Sequence, residues 1–367
     1  MIKRIGLLTS GGDCQALNAT MRGVVKGLTN SIDDLEVYGF DDGYKGLIYG
    51  KYRMLTSKDF SGILTQGGTI LGTSRQPFKL MRVPDEKGLD KVEAMKQTYY
   101  KLCLDCLVIL GGNGTQKTAN LLREEGLNII HLPKTIDNDL CGTDHCPGFG
   151  SAAKYIGTTF AELERDCHVY ATKAVTIVEV MGRDAGWLTA ASCLARANGA
   201  KGPDFIYLCE VPFSIDTFLK DVKAKLEKQD AVIIAVSEGV KNKDGRYISE
   251  EVQSSAVDSF GHSYIAGAAK VLEDAVRNEI GCKVRSIELN LMQRCAAHLA
   301  SATDIQESRM LGKTACQYAL EGATGMMAAV IRTSDKPYAT EFKALPVCDI
   351  ANAIKSVPAD YINDAGN

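Results

Sequence analysis

Two aspartates spaced two residues apart are the side chains in this sequence best suited to catalysis. Asp137 and Asp139 belong to residues 133–139 (PKTIDND), directly after the apolar run 128–132. One carboxylate could take a proton from a hydroxyl while the other binds Mg²⁺. Lys134 adds a positive charge to the same strand end. A plain turn with an aspartate capping a helix uses the same residue types, so the spacing leaves both interpretations open.

A glycine-rich segment, residues 111–115 (GGNGT), follows a second apolar run at 104–110. Glycines at a strand end let the backbone approach a bulky anion, and a helix starting there offers unpaired N–H groups to phosphate oxygens. The segment does not match a Walker A loop, because Gln116 precedes Lys117 where that loop needs a glycine. A tight structural turn would need the same glycines, so both interpretations stand.

Two arginines follow glycine-containing segments. Arg75 ends residues 67–75 (GGTILGTSR), and Arg183 ends residues 179–183 (EVMGR). A planar guanidinium suits a phosphoryl group whose charge is spread over several oxygens. Gly182 with Arg183 at a strand end is typical of an oxyanion clamp, although an arginine on a loop is often only solvated. The two segments therefore favour phosphoryl transfer without proving it.

Predicted strands and helices alternate along the chain. Continuous Val/Ile/Leu runs indicate strands covered on both faces, as in parallel sheets, and the alternation predicts a doubly wound α/β architecture. The predicted strands are residues 2–10, 35–40, 104–110, 128–132, 174–180, 205–210 and 231–237. The predicted helices are residues 17–28, 87–102, 116–125, 152–167, 185–197 and 216–227. Ligands of such folds bind beyond the carboxyl ends of the strands, where the segments above lie.

Composition limits the classes of protein to which the chain can belong. It has 367 residues, 45% of them hydrophobic and 24% charged, which predicts a globular protein of two domains. The net charge of −3 argues against a nucleic-acid binder, and the apolar runs are too short for a bilayer span. Twelve cysteines are too few for a disulfide scaffold of this length. With no secretory signal at the N-terminus, we expect free thiols and a cytoplasmic location.

Five segments together resemble the phosphofructokinase family in order and spacing. They are GGD (11–13), GGTILGTSR (67–75), GGNGT (111–115), PKTIDND (133–139) and EVMGR (179–183). The resemblance implies an α/β fold of two doubly wound domains with mainly parallel sheets. It implies a donor-binding domain at 1–138 with part of 291–340, and a fructose-6-phosphate-binding domain at 139–290 with the C-terminal segment. It also implies a glycolytic kinase that uses Mg²⁺.

The resemblance also assigns roles to individual residues. The residues implied in catalysis are Asp137 (the base), Arg183, Arg75 and Thr135. Those implied in donor binding are Gly12, Tyr44, Arg75, Gly112, Asn113, Gly114, Thr115 and Lys134. Those implied in sugar-phosphate binding are Thr135, Asp137, Met181, Gly182, Arg183, Glu238, Arg285 and Arg294. The metal ligands would be Asp139 and Asn113, although the family usually has an aspartate at the latter position.

The phosphoryl donor is predicted from two residues that disagree. In the family, a glycine at the position of Gly114 leaves room for the α-phosphate of ATP, whereas an aspartate there excludes it. Lys134 is typical of pyrophosphate users. We favour ATP, because a blocked site excludes a ligand while an added lysine only attracts one, and we keep pyrophosphate as the alternative.

A second alternative is a non-catalytic subunit that senses sugar phosphate. Asn113, Leu291 and Ala174 depart from the family pattern in ways that could weaken catalysis. The family builds its sugar site across a subunit interface, with one of Arg285 and Arg294 coming from the neighbour. The resemblance therefore also implies a homodimer or homotetramer.

Overall fold

The computed structural model describes residues 3–251 and 267–366. Its contacts divide the chain into two compact units. The first unit consists of Met1–Ile136, Leu140–Ser151 and Arg294–Ile354, and the second of Asp137–Asp139, Ala152–Gln293 and Lys355–Asn367. The predicted donor domain ends at residue 138, whereas the first unit's leading segment ends at Ile136, inside the PKTIDND segment.

The elements alternate as the sequence predicts. The strands are β1 (Arg4–Ser10), β2 (Glu36–Phe40), β3 (Tyr52–Leu55), β4 (Cys106–Gly111), β5 (Ile129–Pro133), β6 (Ala174–Val180), β7 (Phe205–Tyr207), β8 (Ala231–Ser237), β9 (Lys283–Glu288), β10 (Met326–Asp335) and β11 (Tyr338–Pro346). The helices are α1 (Leu17–Thr29), α2 (Tyr44–Tyr49), α3 (Lys91–Lys101), α4 (Asn113–Glu124), α5 (Phe149–Cys167), α6 (Trp187–Ala190), α7 (Ile215–Leu226), α8 (Ala268–Glu279), α9 (Ala302–Leu320) and α10 (Val347–Ile350). Among the helices of the described residues, none combines the length and apolar character needed to cross a membrane.

The first unit contains a seven-stranded sheet in the order β11-β10-β5-β4-β1-β2-β3. Pairings among β2, β1, β4, β5 and β10 are parallel, while β3 and β11 pair antiparallel at the two edges. Every residue of β4 is buried, as expected for a central strand covered by helices on both faces. The mainly parallel sheet is therefore confirmed, with antiparallel edges that the sequence analysis did not predict.

Helices α1 and α9 of the first unit approach each other closely. A Cβ at Gly23 of α1 would collide with the Arg309 carbonyl of α9, and a Cβ at Gly312 of α9 would collide with the Thr20 carbonyl. Glycine at both contact points lets the two backbones touch. This contact explains two helical glycines that would otherwise weaken their helices.

The second unit contains a four-stranded parallel sheet in the order β7-β8-β6-β9. Strands β6 and β8 have the predicted bounds, because their residues are mainly apolar and almost all buried. The predicted helix 185–197 is instead the single turn α6 followed by a 3₁₀ helix, Ala191–Asn198. Gly199 ends that segment in the left-handed conformation.

Candidate active site

The glycine-rich segment after β4 forms the start of α4. The helix begins at Asn113, three residues earlier than predicted, with Gly112 as its N-cap. Within the described residues no side chain caps this helix, and its first turn contains no acidic residue. A Cβ at Gly111 would collide with the Thr115 side chain, so the strand can turn into the helix only with glycine there. The result is an uncapped helix N-terminus, which favours an anion.

Two positions in the first turn of α4 are open to a ligand. A Cβ at Gly114 would have no atom within 4 Å in the described structure. The Asn113 side-chain oxygen is buried and has no hydrogen-bond partner within the described part of the chain. A buried polar atom of this kind costs free energy unless it binds something. Both features fit a phosphate-bearing ligand with an associated cation.

The loop after β1 is tied to the loop that ends in Arg75. The Gly11 N–H donates to the Ser74 carbonyl at 3.4 Å, and the Thr73 hydroxyl donates to the Gly11 carbonyl at 2.5 Å. Arg75, next in the chain, is exposed. These bonds place Arg75 beside the turn that contains Gly12.

Lys134 joins the turns after β1 and β4. Its side chain is 4% exposed, its ammonium donates to the Gly12 carbonyl, and its backbone N–H donates to the Gly111 carbonyl at 3.1 Å. A Cβ at Gly112 would lie 3.8 Å from Cβ of Thr135. The PKTIDND segment therefore begins directly beside the N-terminus of α4.

Tyr44 does not present its ring to a ligand in this structure. The residue is 1% exposed, and its hydroxyl donates to the Thr115 carbonyl at 2.9 Å. Burial raises the pKa of its hydroxyl well above the ordinary value. The nucleotide contact predicted from the resemblance would require the ring to leave this position. In the structure, Tyr44 instead supports the first turn of α4.

The turn after β6 in the second unit is fixed by side chains. Gly182 has φ +135°, and a Cβ there would lie 2.5 Å from the Ala185 carbonyl oxygen. Its N–H donates to Glu238 Oε1 at 3.2 Å, and its carbonyl accepts from the Ser237 hydroxyl at 2.6 Å. The Met181 N–H donates to Gln293 Oε1 at 3.3 Å.

Ser237 and Gln293 are buried residues that the sequence analysis did not identify as part of the site, and they are 0% and 1% exposed. Ser237 could have been identified from the sequence, because it lies directly before the predicted sugar contact Glu238. The structure thus brings together three of the predicted sugar contacts, Met181, Gly182 and Glu238, on the ends of β6 and β8. Arg183 continues the same turn and is partly exposed.

A buried carboxylate lies near the end of β6, just before this turn. Glu179 accepts hydrogen bonds from the Gly267 and Ala269 N–H groups at the start of α8. Burial raises its pKa to about 7, and the neighbouring charges of Glu288 and Glu238 act in the same direction, while the N–H groups oppose them. The charge on Glu179 therefore depends on pH near neutrality.

The two arginines assigned to the 6-phosphate lie in different places. Arg285 pairs in register with Thr176, five residues before Met181, which is ~16 Å along a strand. It is exposed and lies 3.7 Å from Asp166. Arg294 belongs to the first unit. Within one chain, the structure does not bring Arg285 to the end of β6 with the other predicted sugar contacts.

One cavity of the second unit contains none of the predicted site residues. Its volume is about 890 Å³, and it lies at the amino ends of β6 and β9. The lining includes Lys173, Lys223 and Lys283 with Glu227 and Glu279. Ligands of parallel sheets bind at the carboxyl ends of the strands, so we favour the turns at those ends over this cavity as the functional site.

The described residues contain no group of three or more His, Cys, Asp or Glu side chains arranged to hold a metal. Mg²⁺ does not need such a group, because it commonly binds one or two carboxylates together with substrate phosphates and water. The Asp139 carboxylate and the buried Asn113 amide oxygen are oxygen donors of the required type. Each of these two residues, taken by itself, therefore offers an oxygen of the kind that Mg²⁺ binds together with phosphate.

Comparisons with known proteins identify relatives over nearly the whole chain. A family model described as phosphofructokinase matches residues 4–337. The chain is 37% identical to an ATP-dependent 6-phosphofructokinase of Spirochaeta thermophila, over 98% of this chain and 94% of the relative. It is 34% identical to a pyrophosphate–fructose 6-phosphate 1-phosphotransferase of Xanthomonas campestris pv. campestris, over 97% and 86%. A solved structure of the pyrophosphate-dependent phosphofructokinase from Marinobacter aquaeolei superposes with a TM-score of 0.83 at 28% identity, covering 100% and 88%.

Proposed function

The chain belongs to the phosphofructokinase family, and we propose that it transfers the terminal phosphoryl group of ATP to the 1-hydroxyl of fructose 6-phosphate. The family predicted from the five segments is confirmed, and the named relatives are enzymes. The products would be ADP and fructose 1,6-bisphosphate. The reaction is a step of glycolysis.

The observation that best supports this function is the arrangement at the N-terminus of α4. The uncapped helix end, the open space at Gly114 and the turn after β1 suit a polyphosphate tail. Thr135 lies beside Gly112, and Asp137 follows two residues later in the chain. A donor-binding turn is thus joined directly to a carboxylate that can accept a proton.

We assign the reaction steps to residues as follows. The Asp137 carboxylate takes the proton of the 1-hydroxyl as that oxygen attacks the γ-phosphorus. The bond from phosphorus to the leaving ADP oxygen breaks as the new bond forms. Arg75 and Arg183 stabilise the charge on the transferred group, since guanidinium groups suit its spread-out oxygens. Glu238 holds the sugar together with the turn that it already supports.

Asp139 and Asn113 would hold Mg²⁺ together with donor phosphate oxygens. The bound ion would supply neutralisation of phosphate charge. The amide at position 113 is neutral, so we expect weaker metal binding than with the usual aspartate. The remaining donor contacts would come from Gly12, Gly112, Gly114 and Thr115.

Pyrophosphate remains a second candidate donor because of Lys134. This buried ammonium lies at the Gly12 turn, where it would favour a small, highly charged donor. Its bond to the Gly12 carbonyl also gives it a structural use that does not depend on the donor. The open position at Gly114 favours ATP, and we give it more weight.

A donor assay tests the proposal. Turnover is measured with ATP and with pyrophosphate side by side, at saturating fructose 6-phosphate and Mg²⁺. Saturable turnover with ATP supports the proposal, and turnover with pyrophosphate alone establishes the alternative. If fructose 6-phosphate binds in calorimetry but neither donor gives turnover, the chain is a sensing subunit. The homodimeric or homotetrameric state and the cytoplasmic location stay predictions.

A further inference from the structure

The C-terminal segment contacts the acid motif within the second unit. The Lys355 backbone N–H donates to the Asp139 carbonyl at 2.8 Å, and the Lys355 ammonium donates to Asn138 Oδ1 at 3.2 Å. Asn138 is 2% exposed and has φ +55°, a conformation that few residues other than glycine and asparagine adopt readily. Lys355 therefore holds the middle of the Asp137-Asn138-Asp139 turn through two hydrogen bonds.

Trp187 fixes Lys355 to α6. The indole N–H donates to the Lys355 carbonyl at 2.8 Å, and the ammonium lies 5.5 Å from the ring centroid, within cation–π range. Tyr361 packs edge-to-face against the same ring at 6.3 Å. The sequence alone suggests that Trp187 is a core residue, but it is only partly buried, and the C-terminal segment packs against it.

Glu210 anchors the same segment two residues further on. Its Oε1 accepts from the Val357 N–H at 2.9 Å and from the Gly186 N–H at 2.8 Å. One carboxylate oxygen thus ties the C-terminal segment to the residue before Trp187. Lys355 is therefore held by two neighbouring anchors, and its position does not depend on its own flexible side chain.

We propose that Lys355 is a positioning residue for phosphoryl transfer. The inference rests on the proposed function, in which Asp137 takes the proton of the sugar hydroxyl. A general base works only when its oxygen lies about 2.6–3.2 Å from the atom that carries the proton, and a displacement of about 1 Å can cost on the order of 10²-fold in rate. By fixing Asn138 and Asp139, Lys355 fixes the carboxylate that precedes them in the chain.

The test begins with Lys355→Met, which keeps the apolar stem against Trp187 and removes the ammonium. We expect kcat to fall by about tenfold to 10²-fold, with little change in the KM for fructose 6-phosphate. The thermal midpoint should fall slightly, because the buried Asn138 side chain loses one hydrogen bond. Lys355→Arg should restore much of kcat, since a guanidinium can donate to Asn138. Lys220→Met, on the exposed face of α7, is the matched control and should behave as wild type.

Hydrogen exchange of a peptide spanning residues 133–143 tests the same contact without activity. It should be faster in Lys355→Met than in wild type or Lys220→Met. Unchanged exchange, unchanged kcat in an active enzyme, or a loss of kcat that the arginine variant does not restore would each overturn the inference. An inactive wild type would contradict the proposed function instead, and the exchange measurement would still decide the role of Lys355.

Discussion

The two units build their parts of the proposed site from different groups. In the first unit the proposed donor-binding groups are mainly backbone, with glycines at 12, 112 and 114 and an uncapped helix end. In the second unit, side chains hold the backbone in place, as Ser237, Glu238 and Gln293 do at the turn after β6. A phosphate tail needs close access to N–H groups, whereas a sugar hydroxyl needs a fixed carboxylate. We therefore expect a larger side chain to lower activity when it is introduced at these glycines of the first unit. In the second unit, we expect activity to fall when a single polar atom is removed.

The largest effect is expected in the second unit, at the base. Asp137→Asn keeps the size of the side chain but removes the carboxylate, so we expect kcat to fall on the order of 10²–10⁴-fold. Binding of fructose 6-phosphate in calorimetry should change much less. Asp216→Asn, an exposed aspartate in the same unit, is the control. If Asp137→Asn turns over substrate nearly as fast as the wild type, the proposed mechanism with Asp137 as the base is wrong.

The next effect tests added volume and charge in the first unit. Gly114→Asp should lower kcat/KM for ATP on the order of 10²-fold, because juxtaposed like charges cost several kcal/mol, and should spare or improve use of pyrophosphate. The variant should fold, since a Cβ at this position meets no described atom within 4 Å. Gly114→Asn adds a side chain of nearly the same size without the charge, so comparing the two variants separates the effect of size from that of charge. Equal loss with both donors would contradict the donor assignment.

Ionised groups of the first unit form a network that affects stability. His145 bonds to Asp144 and Glu307, each at 2.8 Å. Burial lowers its pKa, but the two carboxylates outweigh this and raise it to about 9. The stabilisation is therefore complete below about pH 6.5 and is lost as pH rises through 9.

The unfolding free energy of the wild type should fall by roughly 3 kcal/mol more than that of His145→Gln between pH 6 and 10. Urea titrations at several pH values measure this difference. Parallel pH curves for the two proteins would show that the network does not hold a charged histidine.

Loss of one polar atom in the second unit should have a smaller effect. Ser237→Ala leaves the buried Gly182 carbonyl without its 2.6 Å partner, at a cost of about 1–3 kcal/mol. We expect the KM for fructose 6-phosphate to rise and the KM for the donor to stay constant. Ser237→Thr retains the hydroxyl and should recover part of the loss. An equal rise in both KM values would contradict the division of roles between the units.

The sequence predicts the features that neighbouring residues determine and misses those that depend on contacts far along the chain. Strands β6 and β8 were predicted correctly because buried apolar runs determine them locally. The start of α4 was predicted three residues late, because glycine and asparagine are poor helix formers and this turn looks like a loop. Lys355 contacts Asn138 across 217 positions in the chain, and no local pattern indicates that contact.

The smallest expected effect is that of Tyr44→Phe. The resemblance implies that Tyr44 contacts the nucleotide, whereas in the structure its hydroxyl bonds to the Thr115 carbonyl. If the ring binds nucleotide, Tyr44→Phe keeps the stacking surface, so the KM for ATP should not change. If the hydroxyl supports the Thr115 carbonyl, as the structure has it, the variant loses a buried hydrogen bond worth about 0.5–1.5 kcal/mol. We therefore expect slightly lower stability and a roughly two- to fivefold higher KM for ATP, with an unchanged KM for fructose 6-phosphate. Tyr100→Phe, 57% exposed on α3, is the matched control. An unchanged KM for ATP would favour the nucleotide contact that the resemblance implies for Tyr44. The ring would then have to move when ATP binds.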